Sequence, residues 1–247
     1  MSPEERPVLH KIVEVGDVNA VQRALASGLD VNARDGRQLT ALHVAAYLGR
    51  THIAVVLVDN GASVYAREEK GWTPLHFCCQ QKSNAIAKML VERGANVEAK
   101  NNHYLAPLHI CAMHGSVDIA RYLIEGRANV DASGPQKTTP LHVAASSGHL
   151  QVLECLLEHG ARMNCLDLHR NTALHYAARQ NQSRAMLSLL MRATDSILNL
   201  QNRSGDTALH VAANVKADGI AQALVRFGAR IDIKDNVGAH IAAALVD

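Results

Sequence analysis

The sequence is poor in aromatic residues and in net charge. Its 247 residues include one Trp, five Tyr and two Phe, although 48% of the residues are hydrophobic. The apolar residues are therefore mostly small and aliphatic, which is typical of alanine-rich helices that pack closely without rings. The formal net charge is only +2, so we expect no nucleic acid and no anionic membrane as a partner.

Long apolar runs and a disulfide pattern are also missing. No run approaches the roughly 18 to 20 apolar residues that cross a bilayer, so we expect no membrane insertion. The polar, acidic start lacks the basic and apolar segments of a secretory signal. Five Cys is an odd number, which argues against a disulfide framework and for a reducing compartment. We therefore expect a cytoplasmic protein, with the nucleus as an alternative.

The sequence lacks the common motifs of catalysis. It contains no glycine-rich phosphate loop, no Gly-x-Ser-x-Gly, no His-Glu-x-x-His and no Cys-x-x-Cys. We therefore predict a chain that is not an enzyme and needs no cofactor.

What the sequence does contain is one dipeptide, Leu-His, that recurs at a fixed period. The period is 33 residues, except for a last interval of 35. The dipeptides are Leu9-His10, Leu42-His43, Leu75-His76, Leu108-His109, Leu141-His142, Leu174-His175 and Leu209-His210. They include seven of the 14 His, and a fixed period of this length indicates a repeat architecture.

Each repeat predicts two short helices. In the unit 68–100, the Thr-Pro pair at 73–74 is suited to the N-cap and first turn of a helix. Leu75 and Cys78 follow on one apolar face. A second apolar helix ends near Gly94, where a left-handed residue is favoured. Neither helix would be stable alone in water, so we expect stacked units to form the folded object.

These units resemble the ankyrin repeat. The resemblance rests on the Thr-Pro-Leu-His motifs at 73–76 and 139–142, and on Ala-Ala and Gly-Ala pairs that recur in most units. It implies an all-α fold, an ankyrin-repeat solenoid of helix–turn–helix units with β-turn fingers. It also implies a concave face, made by the fingers and the first helices, that binds a protein or peptide ligand.

We expect a short N-terminal tail over 1–6 and a single array over 7–247. The predicted units are an N-terminal capping unit 7–34, the units 35–67, 68–100, 101–133, 134–166, 167–201 and 202–234, and a partial unit 235–247. The partial unit is apolar and starts a helix near Ile241 that has no partner helix. We therefore expect the natural protein to continue past Asp247.

Two units depart from the pattern. The 35-residue interval places two inserted residues in the connection 192–196, which we expect to form a bulged loop. The unit 101–133 has Ala106 where five other units place Thr at the N-cap. We expect this unit to lose a capping hydrogen bond of about 1 kcal/mol.

The His and Cys residues favour structural roles. In the ankyrin family the repeated His hydrogen-bonds the N-cap Thr and nearby backbone, and the remaining His show no metal-ligand spacing with Cys. We therefore predict no metal site. Cys78, Cys79 and Cys111 stand where other units have Ala, which favours packing as small apolar side chains. Cys165, in a finger, is expected to be the most exposed.

One finger position carries Asn in several units. The resemblance makes this position a candidate for asparaginyl hydroxylation, and the residues are Asn32, Asn164 and Asn199. The alternative, which we favour, is an Asn that stabilises the turn.

The resemblance places the partner surface on the fingers and the exposed side of the first helices. Large apolar residues gather there between 37 and 114, and such groups mark interaction sites. The predicted partner-binding residues are Arg37, Leu39, Tyr47, Leu48, Lys70, Trp72, Gln80, Gln81, His103, Tyr104, Leu105, Met113 and His114. Trp72 is the only Trp of the chain and is a typical interface anchor. The alternative is that it shields its own finger by packing on Leu39 or Leu105.

We therefore predict a monomeric, non-catalytic protein–protein interaction module that serves as a scaffold or adaptor. Two alternatives stay open at this point. One is a targeting or regulatory domain cut from a larger enzyme, channel or ubiquitin-ligase adaptor. The other is an effector that a pathogen or symbiont delivers into a host cell.

Overall fold

The structure is a computed structural model that describes residues 7–238. Within that range the chain folds into pairs of short α-helices joined by extended turns, which we call fingers. It divides into two compact units, one within Met1–Cys111 and Ser116–Asn129 and the other within Ala112–Gly115 and Val130–Asp247. The predicted tail 1–6 and the predicted helix near Ile241 lie outside the described residues.

In the first unit the helices form stacked pairs. They are α1 (Val8–Val15), α2 (Val18–Ala26), α3 (Ala41–Leu48), α4 (Thr51–Asp59), α5 (Pro74–Gln81), α6 (Asn84–Glu92), α7 (Pro107–His114) and α8 (Val117–Glu125). Residues 112–114 of α7 belong to the second unit. The first helices α1, α3 and α5 pack side by side, and α2, α4, α6 and α8 do the same. Each helix thereby buries its apolar face against the next repeat.

The second unit follows the same plan. Its helices are α9 (Pro140–Ser147), α10 (Leu150–Glu158), α11 (Ala173–Arg179), α12 (Ser183–Leu190), α13 (Asp195–Leu198), α14 (Ala208–Asn214) and α15 (Asp218–Arg226). First helices α9, α11 and α14 pack in series, as do second helices α10, α12 and α15. The described residues are thus all-helical apart from turns, as predicted for an ankyrin-repeat solenoid.

A Thr and a His start most of the first helices. In α3 the Thr40 N–H donates to His43 Nδ1 at 3.0 Å, and Thr40 Oγ1 lies 2.9 Å from the same nitrogen. His43 Nε2–H donates to the carbonyl of Trp72 in the next finger at 3.1 Å. The same Thr-to-His pairing begins α5, α9, α11 and α14. The hydrogen bonds that the resemblance implied are therefore present, and His43, His76, His142 and His175 each join a helix cap to the following repeat.

Small side chains fill the interior. Ala45 and Ala46 of α3 are fully buried, and so are Cys78, Cys79 and Cys111 at the corresponding positions of α5 and α7. The prediction that these thiols replace Ala in tight packing is confirmed. Burial raises the pKa of the Cys78 and Cys79 thiols well above the usual range, so both stay protonated at neutral pH.

The bulged loop predicted for 192–196 is only partly a loop, because its last two residues begin the short helix α13 (Asp195–Leu198). A helical turn pairs the Asn199 N–H with the carbonyl of Asp195 at 3.3 Å. Leu198 precedes the finger Asn199 as Val31 precedes Asn32, and it is only 3% exposed. The longer connection thus keeps this apolar residue of the finger buried.

Candidate protein-interaction grooves

Phe77, on α5, is the centre of an aromatic cluster in the first unit. Its ring centroid lies 5.4 Å from Trp72, 6.1 Å from Tyr47 and 5.7 Å from His43. Tyr47 and His43 belong to α3, whereas Trp72 lies in the finger before α5, so the rings join neighbouring repeats. Tilted and edge-to-face contacts of this kind are the favourable ones. Tyr47 still keeps 50% of its surface exposed, which a partner could cover.

Two grooves flank the aromatic cluster. The Tyr47 groove encloses about 540 Å³ and is lined by Glu14, Arg37, Leu39, His43, Val44, Tyr47, Leu48 and Phe77. The Trp72 groove encloses about 280 Å³ and is lined by Arg37, Glu68, Lys70, Trp72, Phe77, Gln80 and His103. Arg37 and Phe77 line both grooves. Together the grooves reach the size of a typical ligand site, with an apolar floor and charged residues among their walls.

The backbone of the finger holds Trp72 in place. The Trp72 N–H donates to Glu68 Oε1 at 3.0 Å, and the Lys70 N–H donates to the same oxygen at 2.8 Å. The Trp72 carbonyl accepts the bond from His43. All of these bonds use backbone atoms of Trp72. The finger therefore does not depend on hydrogen bonds from the indole ring.

The two buried His next to the grooves are uncharged at neutral pH. Burial lowers the pKa of His43 and of His76 to about 4. Protonation would also place a hydrogen on the Nδ1 atom that accepts the N-cap N–H, which breaks the cap. The cationic character of the grooves therefore comes from Arg37 and Lys70, both of which are exposed.

The structure brings most of the sequence-predicted residues together. Arg37, Leu39, Tyr47 and Leu48 line the Tyr47 groove, and Lys70, Trp72, Gln80 and His103 line the Trp72 groove with Arg37. Gln81, Tyr104 and Leu105 line neither groove, although all three belong to the first unit. Met113 and His114 belong to the second unit. Trp72 is half-buried, and its ring contacts those of Phe77 and His76.

Phe77 is the site residue that sequence reasoning missed. It follows a repeated Leu-His dipeptide directly, at a position where α3 has Val44 and α9 has Val143. A ring where α3, α7, α9 and α14 have Val or Ile was the available signal. Val44, His43 and Glu68 were missed as well, because their positions look structural in every repeat. Glu14 was missed although it stands at the repeat position of Tyr47.

A family model described as ankyrin repeats in three copies matches residues 9–101, 98–167 and 161–235.

The chain belongs to the ankyrin repeat family.

It is also similar to the crystal structure of the human ASB11 ankyrin repeat domain. The TM-score is 0.81 at 30% sequence identity, and the match covers 91% of this chain and 99% of that chain. No curated protein sequence matches the chain. Ankyrin repeats are protein–protein interaction modules and are generally non-catalytic, so the grooves lie on a scaffold whose common task is to bind proteins.

The Asn residues of the ankyrin fingers bridge neighbouring repeats. Asn32 Nδ2 donates to the carbonyl of Gly61 at 3.0 Å, and its Oδ1 accepts the N–H of Ser63 at 2.8 Å. Asn199 Oδ1 likewise accepts the N–H of Arg230 at 2.9 Å. These bonds support the structural role of the finger Asn. Hydroxylation stays a prediction, and Asn164 is the most exposed of the three candidates.

Metal and membrane chemistry are not apparent in the described ankyrin repeats. Over residues 7–238 no three His, Cys, Asp or Glu side chains are grouped so that they could hold a metal ion. None of the helices in that range is both long enough and apolar enough to cross a membrane. Cys165 is half-buried while the other four Cys are buried, as predicted for a Cys in a finger.

Proposed function

We propose that the first unit binds a partner protein or peptide in the Tyr47 and Trp72 grooves, and that the chain acts as a scaffold or adaptor. The observation that carries this proposal is the aromatic cluster around Phe77, which lies on the finger side and lines both grooves. The family's general role as an interaction module supports it. A cluster of exposed apolar and aromatic residues next to Arg37 is the usual composition of an interface centre.

The exposed surface around the cluster favours binding over self-shielding. Tyr47 is 50% exposed and Leu48 is 41% exposed, and the two are consecutive at the end of α3. Contiguous apolar surface of this kind is costly in water unless a partner covers it. The ring contacts of Trp72 fix its orientation, so little conformational entropy would be lost when a partner packs on it.

Replacement of the indole ring tests the proposal. Trp72→Ala keeps the backbone bonds to Glu68 and His43, so we expect folding to stay nearly intact. Affinity for a partner captured from a cell extract should fall by about 2 kcal/mol or more, which is roughly 30-fold. The measurement is the dissociation constant of that partner, by calorimetry, for the wild type and the variant.

Two further variants separate binding from folding. Met191→Ala removes a side chain that is 75% exposed in the second unit, and partner affinity should not change. Leu75→Ala removes a fully buried side chain and should cost about 2–5 kcal/mol of folding stability. A folded Trp72→Ala protein that binds the partner as tightly as the wild type would show that the grooves are not the binding site.

A further inference from the structure

The fingers of the first unit carry two rows of cationic side chains at the repeat period. One row passes along the Trp72 groove and consists of the cations Arg37 and Lys70, with His103 at the next repeat position. The other consists of Arg34, Arg67 and Lys100, each three residues before a member of the first row. The corresponding finger positions of the second unit hold mainly Ser, Gln, Leu and His. The two rows are therefore a property of the first unit and not of the ankyrin repeat as such.

Hydrogen bonds between neighbouring fingers hold both rows in place. The carbonyl of Arg37 accepts the Glu69 N–H at 3.0 Å, and the carbonyl of Lys70 accepts the Asn102 N–H at 2.9 Å. Arg34 Nη1 donates to the carbonyl of Arg67 at 2.9 Å. A ligand would therefore meet a preorganised set of charges, which reduces the entropy lost on binding.

The cations that line the grooves have no ion-pair partner within residues 7–238. No carboxylate in that range pairs with the side chain of Arg37 or Lys70. Glu68 is buried, and its Oε1 accepts two backbone N–H bonds. Glu69 is exposed on the same finger, and Glu14 lies at the end of the Tyr47 groove. Arg37 and Lys70 thus bring positive charge to the Trp72 groove, which the buried Glu68 also lines, while Glu14 lines the Tyr47 groove.

The spacing of the row suits an extended peptide. First helices of neighbouring repeats pack side by side, and packed helix axes are about 8–10 Å apart. An extended chain advances about 3.3–3.6 Å per residue. Every third residue of such a chain would therefore reach the cation of the next finger.

We propose that the grooves bind an extended acidic peptide segment, with Asp or Glu at about every third position and one bulky apolar side chain between them. The carboxylates pair with Arg37 and Lys70, and the apolar side chain packs on Phe77 and Trp72. This inference rests on the proposed function, because it specifies the ligand of the same grooves.

The residues that line the grooves favour a peptide over a nucleic acid. Glu14 and Glu68 line the grooves as carboxylates, and they would repel the continuous negative charge of a phosphate backbone. A peptide can place a neutral residue near each of them. A purely ionic ligand would also offer no apolar group to pack on Phe77 and Trp72.

A peptide library tests the proposal. Random peptides of about 12 residues, which span about 40 Å when extended, are displayed on phage and selected against the full chain. We expect the enriched sequences to carry two or more acidic residues three positions apart and one aromatic residue or Leu. One enriched peptide is then synthesised with a fluorescent label, and its dissociation constant is measured by anisotropy at 0.15 M salt.

Charge reversal supplies the matched comparison. The double variant Arg37→Glu/Lys70→Glu should bind the labelled peptide at least about 30-fold more weakly, because like charges then face each other. The control Arg170→Glu/Arg203→Glu changes the net charge by the same amount, at exposed fingers of the second unit. It should change binding less than about 3-fold, since screening limits the influence of distant charges. Replacement of Glu by Gln in the peptide should weaken binding to the wild type alone.

The outcomes separate this inference from the proposed function. Enriched peptides without acidic residues that still lose affinity for Trp72→Ala would overturn the acidic ligand and keep the grooves. Peptides whose binding responds to neither Trp72→Ala nor the charge reversal would overturn both. Tight binding of a single-stranded oligothymidylate by the wild type, lost on charge reversal, together with no enriched peptide, would replace the peptide by a nucleic acid.

Discussion

The two units place different chemistry at the same repeat positions. Phe77 and Tyr176 each follow a repeated Leu-His dipeptide, and Trp72 and Asn171 each precede the N-cap Thr. In the first unit the two aromatic rings pack on each other and line open grooves. In the second unit the Tyr176 hydroxyl and Asn171 Nδ2 both donate to Asp167 Oδ2, at 2.9 Å and 3.1 Å. One unit leaves an apolar surface for a partner, whereas the other satisfies its polar groups internally.

The hydrogen-bond network of Asp167, Asn171 and Tyr176 shifts the pKa of two of its members. Burial and the bond to Asp167 raise the pKa of Tyr176 to about 12. Burial acts to raise the pKa of Asp167 as well, but the bonds from Asn171 and Tyr176 outweigh it and lower the pKa. The same backbone thus carries either a polar network or an exposed aromatic cluster, and side chains at a few positions decide which.

The largest expected difference between the units is their response to acid. Burial depresses the pKa of His43 and His76 to about 4 in the folded first unit, against about 6.5 in the unfolded chain. The unfolded state therefore binds protons first as pH falls below 6.5, and stability is lost. We expect a loss of about 2 kcal/mol per His between pH 7 and pH 5, and about 3 kcal/mol by pH 4.

The second unit should resist acid better. Burial also lowers the pKa of His142 and His175, but the charge of Asp167 opposes the shift at both. In the first unit Arg34 and Arg67 act in the opposite direction on His43 and His76. Hydrogen exchange of α3 and α5 against α9 and α11, at pH 5 and pH 7.5, measures the difference. Equal loss of protection in the two sets of helices would contradict the prediction.

Removal of one hydroxyl should open the polar network of the second unit. Tyr176→Phe deletes the donor to Asp167 and should cost about 1.5 kcal/mol of folding stability, because the acceptor is a charged carboxylate. Partner affinity in the first unit should not change. Urea denaturation measures the stability, with Tyr47→Phe as the matched control, whose exposed hydroxyl makes no hydrogen bond to residues 7–238. An equal effect of the two substitutions would show that the network adds no stability.

The repeat architecture followed from sequence because the determining residues recur. Several features predict the same local structure in one repeat after another: the Leu-His period, the N-cap Thr and the small residues at Cys78 and Cys79. Backbone hydrogen bonding and burial then leave little choice of fold. The surface that we propose for a partner was also suggested by the only Trp, because core packing does not require a large ring at Trp72.

The parts that sequence did not predict depend on contacts between repeats. Phe77 looks like one more apolar residue of a first helix, and only the positions of Tyr47 and Trp72 make it the centre of a cluster. The helix α13 (Asp195–Leu198) was missed because the length of an insertion does not tell whether it forms a loop or a helical turn.

The helix α7 lacks the N-cap hydroxyl that starts α3 and α5. Adding one tests this contact through a gain in stability, which we expect to be smaller than the losses above. Ala106 keeps only the backbone bond to His109 Nδ1, at 3.3 Å. Ala106→Thr should add the hydroxyl contact that starts α3 and α5 and should stabilise the protein by about 1 kcal/mol. Thr139→Ala, which removes the same contact from α9, should destabilise by a similar amount. A loss of stability on Ala106→Thr, measured by urea denaturation, would mean that the buried Ala106 has no room for the larger side chain.

The smallest expected change in stability concerns Tyr104, at the tip of the third finger. Its φ is +61°, at a position where the second finger has Gly71 with φ +76°. Tyr104→Gly removes the strain of a left-handed backbone at a non-Gly residue, but it also gives the unfolded chain more conformational freedom. The two effects oppose each other, so the folding stability should change by less than about 0.5 kcal/mol. The Tyr104 ring is 67% exposed, in the finger that follows the one carrying Trp72. If this ring contacts a partner, Tyr104→Gly should lower the affinity by about 3–10-fold. Gln38→Gly, with φ +64° at the same repeat position, is the matched control. If both variants bind a partner like the wild type, the interface ends at the grooves and does not extend to the third finger tip.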